Sequence, residues 1–392
     1  MSSCNIPSIT VASDNGNGYI EGEASIRTIT KDKIYTLQII LTNQCNLHCK
    51  YCYVRRDNIR SIPISIAQNA ISNMIDEHPP TEWMYELSFM GGEPLVEFEK
   101  IQSISEWVWA TYPDIDIHIS APTNGTLLDD SVCAWLEKNY MRFSLGLSYD
   151  GEYSQDDNRS NSTGLINAEY FRKLWPDKAF KMTISEGNVR CLAQNITELQ
   201  EQGFRLAANV ACGEPEWATE SVAEFGRQML ILAQYYVDHP EIEPIDLLDV
   251  SLCQVFSYRD PMIRRCGIGF NYDTIDTDGE RYPCHLFSSL ALNEQETSAA
   301  NKYLMGKRND FTIDSCQECV LNPVCPRCYG MAYLRTGDPF SVDINLCRLF
   351  KQQVKGACSY HLKRMARLES MSEEDHLVIC AIKLVLRNLH FE

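Results

Sequence analysis

The fold of this chain is decided by residues 41–54, which read LTNQCNLHCKYCYV and are called the cysteine loop below. They place Cys45, Cys49 and Cys52 close together with CxxxCxxC spacing. Three thiolates at this spacing can bind three irons of a cubane [4Fe-4S] cluster and leave the fourth iron without a protein ligand. The alternatives are a redox dithiol and a zinc knuckle with His48 as a ligand, but zinc sites more often combine CxxC pairs with a fourth Cys or His.

Composition limits the class of protein. The chain has 392 residues, of which 44% are hydrophobic, enough for two or three cores. Its formal net charge of -18 argues against nucleic acid or an anionic membrane surface as the main partner. No secretory signal follows Met1, and no apolar run reaches the roughly 18 residues of a membrane span. We therefore expect a cytoplasmic protein whose 17 cysteines include metal-bound thiolates rather than a disulfide framework.

The pattern of elements predicts an α/β fold. A strand-like stretch, residues 35–41, places the cysteine loop at a strand's carboxyl end, where barrel enzymes have their catalytic residues. Strand-like and helix-like stretches then alternate to about His239. Six or so parallel strands predict a partial (βα)6 TIM-type barrel rather than a closed one of eight strands. Residues 247–252 predict one more strand, and residues 351–368 and 373–389 predict two helices.

The cysteine loop resembles the cluster loop of radical S-adenosylmethionine (SAM) enzymes, and four further segments agree with it. FMGGEPL, residues 89–95, matches the family's Gly-Gly-Glu-Pro turn after the second strand, and TNGTLL, residues 123–128, follows the third. SYDG, residues 148–151, and the pair Asp156-x2-Arg159 resemble motifs of the peptide- and protein-modifying branch. Two residues depart from that branch, Tyr149 for Ile and Gln155 for His.

This resemblance implies that Cys45, Cys49 and Cys52 hold the catalytic cluster and that its open iron binds SAM. Cleavage of SAM then gives a 5′-deoxyadenosyl radical that abstracts hydrogen from the substrate. Residues at the strand ends are implied to bind the cofactor: Gly91, Gly92, Glu93, Pro94, Thr123, Asn124, Ser148, Asp150 and Arg159. We expect the two glycines to let the backbone approach the methionine amino group. Taken singly, each polar residue is also an ordinary turn or cap residue.

A second group of cysteines resembles the auxiliary-cluster domain called SPASM, which implies two further [4Fe-4S] clusters and three in all. The first would use Cys266, Cys284 and Cys328, and its fourth iron either binds Cys253 or stays open for a substrate thiolate. The second would use Cys316, Cys319, Cys325 and Cys347. These clusters relay electrons or, alternatively, only stabilise the domain. Cys212, just after the sixth strand, is the remaining cysteine that could face the active site.

The resemblance also implies a domain order. We expect a polar lead-in over residues 1–34, a radical SAM partial barrel over 35–240, a small cysteine-rich SPASM domain over 241–350, and C-terminal helices over 351–392. One spacing departs from the family, because only two residues separate Cys325 from Cys328 where three are usual.

The function implied is that of an oxidoreductase acting on a ribosomally made precursor peptide. Such a maturase abstracts hydrogen from an unactivated carbon and installs a carbon-carbon or thioether crosslink. His285 stands where sulfatase-maturing enzymes have an Asp base, which makes that activity the less favoured alternative, although an imidazole can also take a proton. A non-catalytic, zinc-stabilised binding protein is the alternative from another class. Expected partners are the precursor peptide and an electron donor such as flavodoxin or ferredoxin. The leader of the peptide is bound either by a separate protein or by the barrel itself.

Overall fold

The computed structural model describes residues 34–257, 266–306 and 313–389. The predicted lead-in therefore lies outside the described residues, except for Ile34. The strands are β1 (Ile34–Thr42), β2 (Met84–Gly91), β3 (Ile117–Thr123), β4 (Phe143–Leu147), β5 (Phe180–Ile184), β6 (Leu206–Val210), β7 (Tyr272–Ile275) and β8 (Arg281–Tyr282). The helices are α1 (Ile64–Glu77), α2 (Phe98–Thr111), α3 (Asp130–Asn139), α4 (Gln155–Asn158), α5 (Ala168–Leu174), α6 (Leu192–Glu201), α7 (Thr219–Asp238), α8 (Glu294–Gly306), α9 (Tyr329–Thr336), α10 (Ile344–Met365) and α11 (Glu373–Asn388).

The strands form an open arc. Six of them share one sheet in the order β4-β3-β2-β1-β7-β8, in which every pair is parallel except β7 with β8. Strands β5 and β6 form a second parallel pair. This pair joins the arc at β4, where Ser148 bridges to Lys181 and the Tyr149 amide donates to the Lys181 carbonyl at 3.0 Å. The predicted partial barrel is confirmed.

Side chains alternate along most strands. In β2, Tyr85, Leu87 and Phe89 are at most 2% exposed and face the helices, where burial of each is worth about 1.5–3 kcal/mol. Glu86 and Ser88 between them are half-buried and face the interior of the barrel, called the lumen below. The lumen wall is therefore largely polar, which suits a binding site better than a core.

The sequence pattern did not predict helices α8 and α9, nor strand β7, which is an unpredicted element of the barrel sheet. Four residues suffice for it because it pairs with β1 between Thr36 and Ile39, on the side away from β2. It belongs by sequence to the cysteine-rich region, yet it extends the barrel sheet. The last predicted strand, residues 247–252, is wrong. Its apolar side chains are divided between two hydrophobic cores, Leu247 and Leu248 in one and Val250 and Leu252 in the other, and a short 3-10 helix begins at Leu252.

The C-terminal helices pack on the barrel. Helices α7 and α10 approach closely at two glycines, because a Cβ on Gly226 would lie 2.4 Å from the Gln352 Oε1 atom and one on Gly356 would lie 2.7 Å from the Met229 Cβ. Helix α10 begins earlier than predicted, at Ile344, where Asp343 caps it by accepting from the Leu346 amide at 2.9 Å. The predicted division at residues 350–351 thus falls inside a helix. Among the described residues, we find no helix with the length and apolarity needed to cross a membrane.

Candidate active site

The cysteine loop leaves β1 and returns along it, and Asn43 holds the two ends together. Its side-chain amide donates to the Arg55 carbonyl at 3.1 Å and to the Asn58 carbonyl at 2.6 Å, and its oxygen accepts from the Arg60 amide at 2.8 Å. The sequence reasoning missed this residue. Its position directly after a strand and before a cysteine-rich turn was the available signal.

Gly91 and Gly92 pack against the backbone of the cysteine loop. A Cβ on Gly91 would lie 2.1 Å from the Thr42 carbonyl oxygen, and one on Gly92 would lie 2.4 Å from the Gln44 carbonyl oxygen. The amides of Gly92 and Glu93 donate to those same carbonyls at 2.9 and 2.8 Å. The glycines are needed here because no side chain fits between β2 and the loop. This contact is the role that the structure describes for the two glycines, and the expected approach of their backbone to the methionine amino group stays a prediction.

Glu93 connects the ends of β2 and β3. Its buried carboxylate accepts from the Leu95 amide at 3.1 Å, the Thr123 hydroxyl at 2.8 Å and the Asn124 amide at 2.7 Å. Burial raises the pKa of Glu93 to about 7, although these three donors act in the opposite direction. Pro94 is buried at the start of a short 3-10 helix. Because both of its oxygens accept hydrogen bonds from the protein, Glu93 supports the site by joining the two strand ends.

Asn124 reaches the cysteine loop directly. Its side-chain amide donates to the Asn46 side chain at 2.9 Å and lies 4.0 Å from the Cys45 sulfur, and its oxygen accepts from the Thr126 amide at 3.0 Å. Ser148, at the next strand end, is half-buried, and its amide donates to the Thr123 carbonyl at 2.8 Å.

Asp150 and Arg159 form a buried ion pair behind Cys49. Asp150 is 1% exposed and accepts from the Tyr51 hydroxyl at 2.6 Å, the Arg159 guanidinium at 3.1 Å and the Thr183 amide at 3.0 Å. The Arg159 guanidinium lies over the Tyr51 ring, 5.3 Å from its centroid. The two motif residues therefore meet through Tyr51, which belongs to the cysteine loop. Both carboxylate oxygens of Asp150 have protein partners.

The three loop cysteines are suited to a cationic cluster. Burial raises the pKa of Cys45, and it raises that of Cys49 to about 11, with the neighbouring thiolates adding to the effect. A bound cation would stabilise the thiolates of Cys45 and Cys49 against this effect. The Leu47 amide points at the Cys45 sulfur at 3.4 Å. The His48 imidazole is exposed, and only its amide is held, by the Ser160 hydroxyl at 2.8 Å.

The ligands of a single metal ion lie closer together than those of an iron-sulfur cluster. Within the described ranges, no three His, Cys, Asp or Glu side chains converge as ligands of one ion do. A cubane cluster binds each thiolate through a different iron, so its ligands lie further apart. Cys45, Cys49 and Cys52 supply thiolate ligands for three irons of a [4Fe-4S] cluster, which leaves one iron open.

His285 brings the C-terminal cysteines to the lumen. Its Nδ1 atom lies 3.0 Å from the Gln38 side-chain oxygen, which also accepts from the Thr274 hydroxyl at 3.2 Å. The Tyr53 and His285 rings are 5.8 Å apart between centroids. Burial, together with the positive charge of Lys181, lowers the pKa of His285 to about 4, so the imidazole is neutral at physiological pH.

The C-terminal cysteines fall into two overlapping neighbourhoods. Five of them line a cavity of about 590 Å³ including its open mouth: Cys316, Cys319, Cys325, Cys328 and Cys347. Cys284 packs against a core that includes Leu286 and Tyr329, and Cys316 and Cys328 contact this core as well. Burial raises the pKa of Cys284, and the thiolates of Cys328, Cys266 and Cys212 raise it further.

Cys253 and Cys212 pack against different cores. Cys253 packs with Cys319 and Cys325 against the core formed by α10 and α11. Cys212 packs with Cys284 and Cys328. Cys253 was considered as a ligand of the first auxiliary cluster. Among the described contacts, it packs apart from Cys284 and Cys328 of that cluster.

Comparison with known proteins agrees with this geometry. Residues 39–184 match the model of the Radical SAM superfamily. An uncharacterized protein of Methanocaldococcus jannaschii is 29% identical over 31% of this chain, which spans 40% of that protein. The cysteine-type anaerobic sulfatase-maturating enzyme of Clostridium perfringens is 21% identical over 72% of this chain and 84% of its own length. The radical SAM cyclopropyl synthase TigE of Paramaledivibacter caminithermalis is 25% identical over 84% of this chain and 75% of its own length.

Two solved structures share the fold. Native anSMEcpe with bound AdoMet and Kp18Cys peptide has a TM-score of 0.61 at 18% identity, covering 84% of this chain and 98% of its own. Streptococcus suis SuiB bound to precursor peptide SuiA has a TM-score of 0.55 at 17% identity, covering 80% and 76%. Residues 39–184 are thus a radical SAM domain, and the chain around them resembles the maturases of that superfamily.

Proposed function

We propose that this protein is a radical SAM peptide maturase that removes hydrogen from an unactivated carbon of a precursor peptide and installs an intramolecular crosslink through carbon or sulfur. Three [4Fe-4S] clusters are proposed. Cys45, Cys49 and Cys52 would hold the first, a group around Cys284 and Cys328 the second, and Cys316, Cys319, Cys325 and Cys347 of the cavity the third. When bound, SAM and the first cluster supply the hydrogen-abstracting radical.

The observation that carries the proposal is the contact between His285 and Gln38. It holds the residue after Cys284 against β1, inside the same lumen onto which the cysteine loop opens. Substrate bound in this lumen would lie between the radical source and the second group of cysteines. This arrangement is what an oxidation requires, because the hydrogen is removed on one side and an electron can leave on the other.

His285 is proposed to take the proton released when the new bond closes. A glutamine oxygen only accepts, so the hydrogen bond to Gln38 puts the imidazole proton on Nδ1 and leaves Nε2 unprotonated. Loss of one hydrogen atom, one proton and one electron then balances the formation of one bond. Electrons would leave through the auxiliary clusters to a flavodoxin- or ferredoxin-type partner.

The predicted cofactor-binding residues divide into two roles. Ser148, half-buried at a strand end, is proposed to contact the cofactor or substrate, as is Asn124 beside Cys45. Gly91, Gly92, Glu93, Pro94, Thr123, Asp150 and Arg159 are proposed to act by holding the cysteine loop in position. A matched test is SAM binding by Ser148→Ala, which should weaken, against that of Ser131→Ala on α3, which should not.

Oxidation of a protein side chain is the second candidate. It is favoured by the relatives named as sulfatase-maturating enzymes. The presence of His285 in place of an acidic base favours the peptide crosslink. The two differ in product, since a crosslink joins two residues of one peptide and is preserved after proteolysis.

The test is co-expression with a candidate precursor peptide, followed by mass spectrometry of the peptide. We expect a loss of two hydrogens with the intact protein and with Cys191→Ala, and no change with Cys49→Ala. An unchanged peptide mass in the presence of SAM cleavage would overturn the crosslinking function. Colourless, zinc-loaded protein that forms no deoxyadenosine would instead support the zinc-stabilised binding protein.

A further inference from the structure

The sequence pattern supplies three cysteine ligands for the four irons of the first auxiliary cluster. Cys266, Cys284 and Cys328 form that pattern, and no cysteine stands in the few residues before Cys266. Cys253, the nearest upstream cysteine, packs in a different core. Either the cluster has an open iron or its fourth ligand comes from elsewhere in the fold.

Cys212 lies at the junction of the barrel and the cysteine-rich region. The hydrogen bonds between β5 and β6 continue to Ala211, the residue before Cys212, whose amide donates to the Ile184 carbonyl at 2.8 Å. The chain then turns at Gly213, whose φ of 74° favours glycine. Cys212 is therefore fixed at a strand end.

The turn after Cys212 rests on α9. A Cβ on Gly213 would lie 3.7 Å from the Leu334 Cδ1 atom and 3.8 Å from the Tyr53 Cβ. The Arg335 guanidinium donates to the Glu214 carbonyl at 2.6 Å. Helix α9 begins directly after Cys328, whose sulfur caps it by accepting from the Met331 amide at 3.5 Å. The same helix thus fixes both Cys328 and the turn that bears Cys212.

The thiols of Cys212, Cys284 and Cys328 pack against one core. The segment of Cys266 meets the same core, because Ile268, two residues further along the chain, is one of its buried members. Four cysteines from four separate segments therefore share one neighbourhood.

We propose that Cys212 is the fourth ligand of the first auxiliary cluster, together with Cys266, Cys284 and Cys328. The inference rests on the proposed function, since it requires that this cluster is present. A fully ligated cluster has no iron to which a substrate thiolate can bind. It exchanges electrons with the substrate site through Tyr53 and His285 without binding substrate, and it links the end of β6 to the cysteine-rich region.

The experiment uses the full chain with Cys45, Cys49 and Cys52 all replaced by alanine, so that only auxiliary clusters remain. Iron and sulfide are counted after anaerobic reconstitution, and the EPR spectrum of the reduced protein is recorded with and without cyanide, a ligand for open irons. We expect about eight irons per chain and no response to cyanide. Adding Cys212→Ala should either make one cluster respond to cyanide or remove about four irons. Adding Cys253→Ala, or Cys191→Ala as the matched control, should do neither.

Three results would overturn the inference: a cyanide response before Cys212 is changed, an unaltered spectrum in Cys212→Ala, or the same response in Cys253→Ala. If Cys212→Ala does not fold, Cys212→Ser keeps an oxygen ligand and should shift the midpoint potential of one cluster; an unshifted potential would overturn the inference too. A triple-alanine chain that folds but binds no iron would mean that the auxiliary clusters are absent, so the proposed three-cluster enzyme would fail along with its fourth ligand.

Discussion

The two cysteine regions of this molecule are held in different ways. The cysteine loop has a polar scaffold of its own, built from Asn43, Glu93, Asn124 and the pair of Asp150 with Arg159. Between β8 and α10, in the described part of the C-terminal region, short 3-10 helices, α8 and α9 surround the cysteines, and the sulfurs pack mainly against apolar side chains. The barrel can therefore shape its site before a cluster binds, whereas we expect the C-terminal site to depend for its shape on the auxiliary clusters proposed there.

Removal of iron should produce the largest difference between the two cysteine regions. Anaerobic chelation should raise amide hydrogen exchange in residues 281–287 and 329–336 on the order of 100-fold, because the metal supplies much of their folding free energy. Exchange in β1 to β4 should hardly change. Hydrogen-exchange mass spectrometry of chelated and loaded protein measures both. Equal loss of protection in the two regions would show that the barrel site is not preformed.

Asp150→Ala should be the most damaging single change within the polar scaffold. It leaves the Arg159 guanidinium, 7% exposed, without its buried partner, which costs about 3–5 kcal/mol of unfolding free energy. Asp157→Ala removes an exposed pair with Lys50 and should cost less than about 1 kcal/mol. Denaturant unfolding of both variants compares them. A similar loss in each would mean that the buried pair does not support the loop.

Gly91→Ala should come next. The added methyl group would lie 2.1 Å from the Thr42 carbonyl oxygen, so β2 or the cysteine loop must move, at a cost of about 3 kcal/mol. Iron bound by the loop should fall in parallel. Gly164→Ala is the matched control, because nothing lies within 4 Å of a Cβ there. Full iron content in Gly91→Ala would contradict the close contact between strand and loop.

Glu93→Gln should have the smallest effect, and one that depends on pH. The amide places an NH2 group opposite a donor, which costs about 1–2 kcal/mol. Because the pKa of Glu93 is raised to about 7, the folded protein keeps a proton that the unfolded chain releases near 4.5. The stability due to that proton is complete below the unfolded pKa and is lost as the pH rises to about 7. The native protein should therefore exceed the variant by more at about pH 5 than at about pH 8; the reverse trend would count against a raised pKa.

Much of the fold was predictable because alternating βα units and strand-end motifs are local signals. Strand β7 was not, since its four residues form a strand only by pairing with β1. An apolar run such as residues 247–252 signals burial but does not say whether a strand or a loop is buried. In the site, the motif residues were recognisable, but their partners were not. Tyr51 lies 99 positions before Asp150 in the chain, and Gln38 lies 247 before His285.

The central claim is that Cys45, Cys49 and Cys52 hold a cluster that cleaves SAM. The most direct measurement is formation of 5′-deoxyadenosine from SAM and dithionite by the anaerobically reconstituted protein. We predict formation by the native protein and by His48→Ala, whose imidazole is exposed, and none by Cys49→Ala. Equal formation by Cys49→Ala, or none by an iron-loaded native protein, would contradict the account.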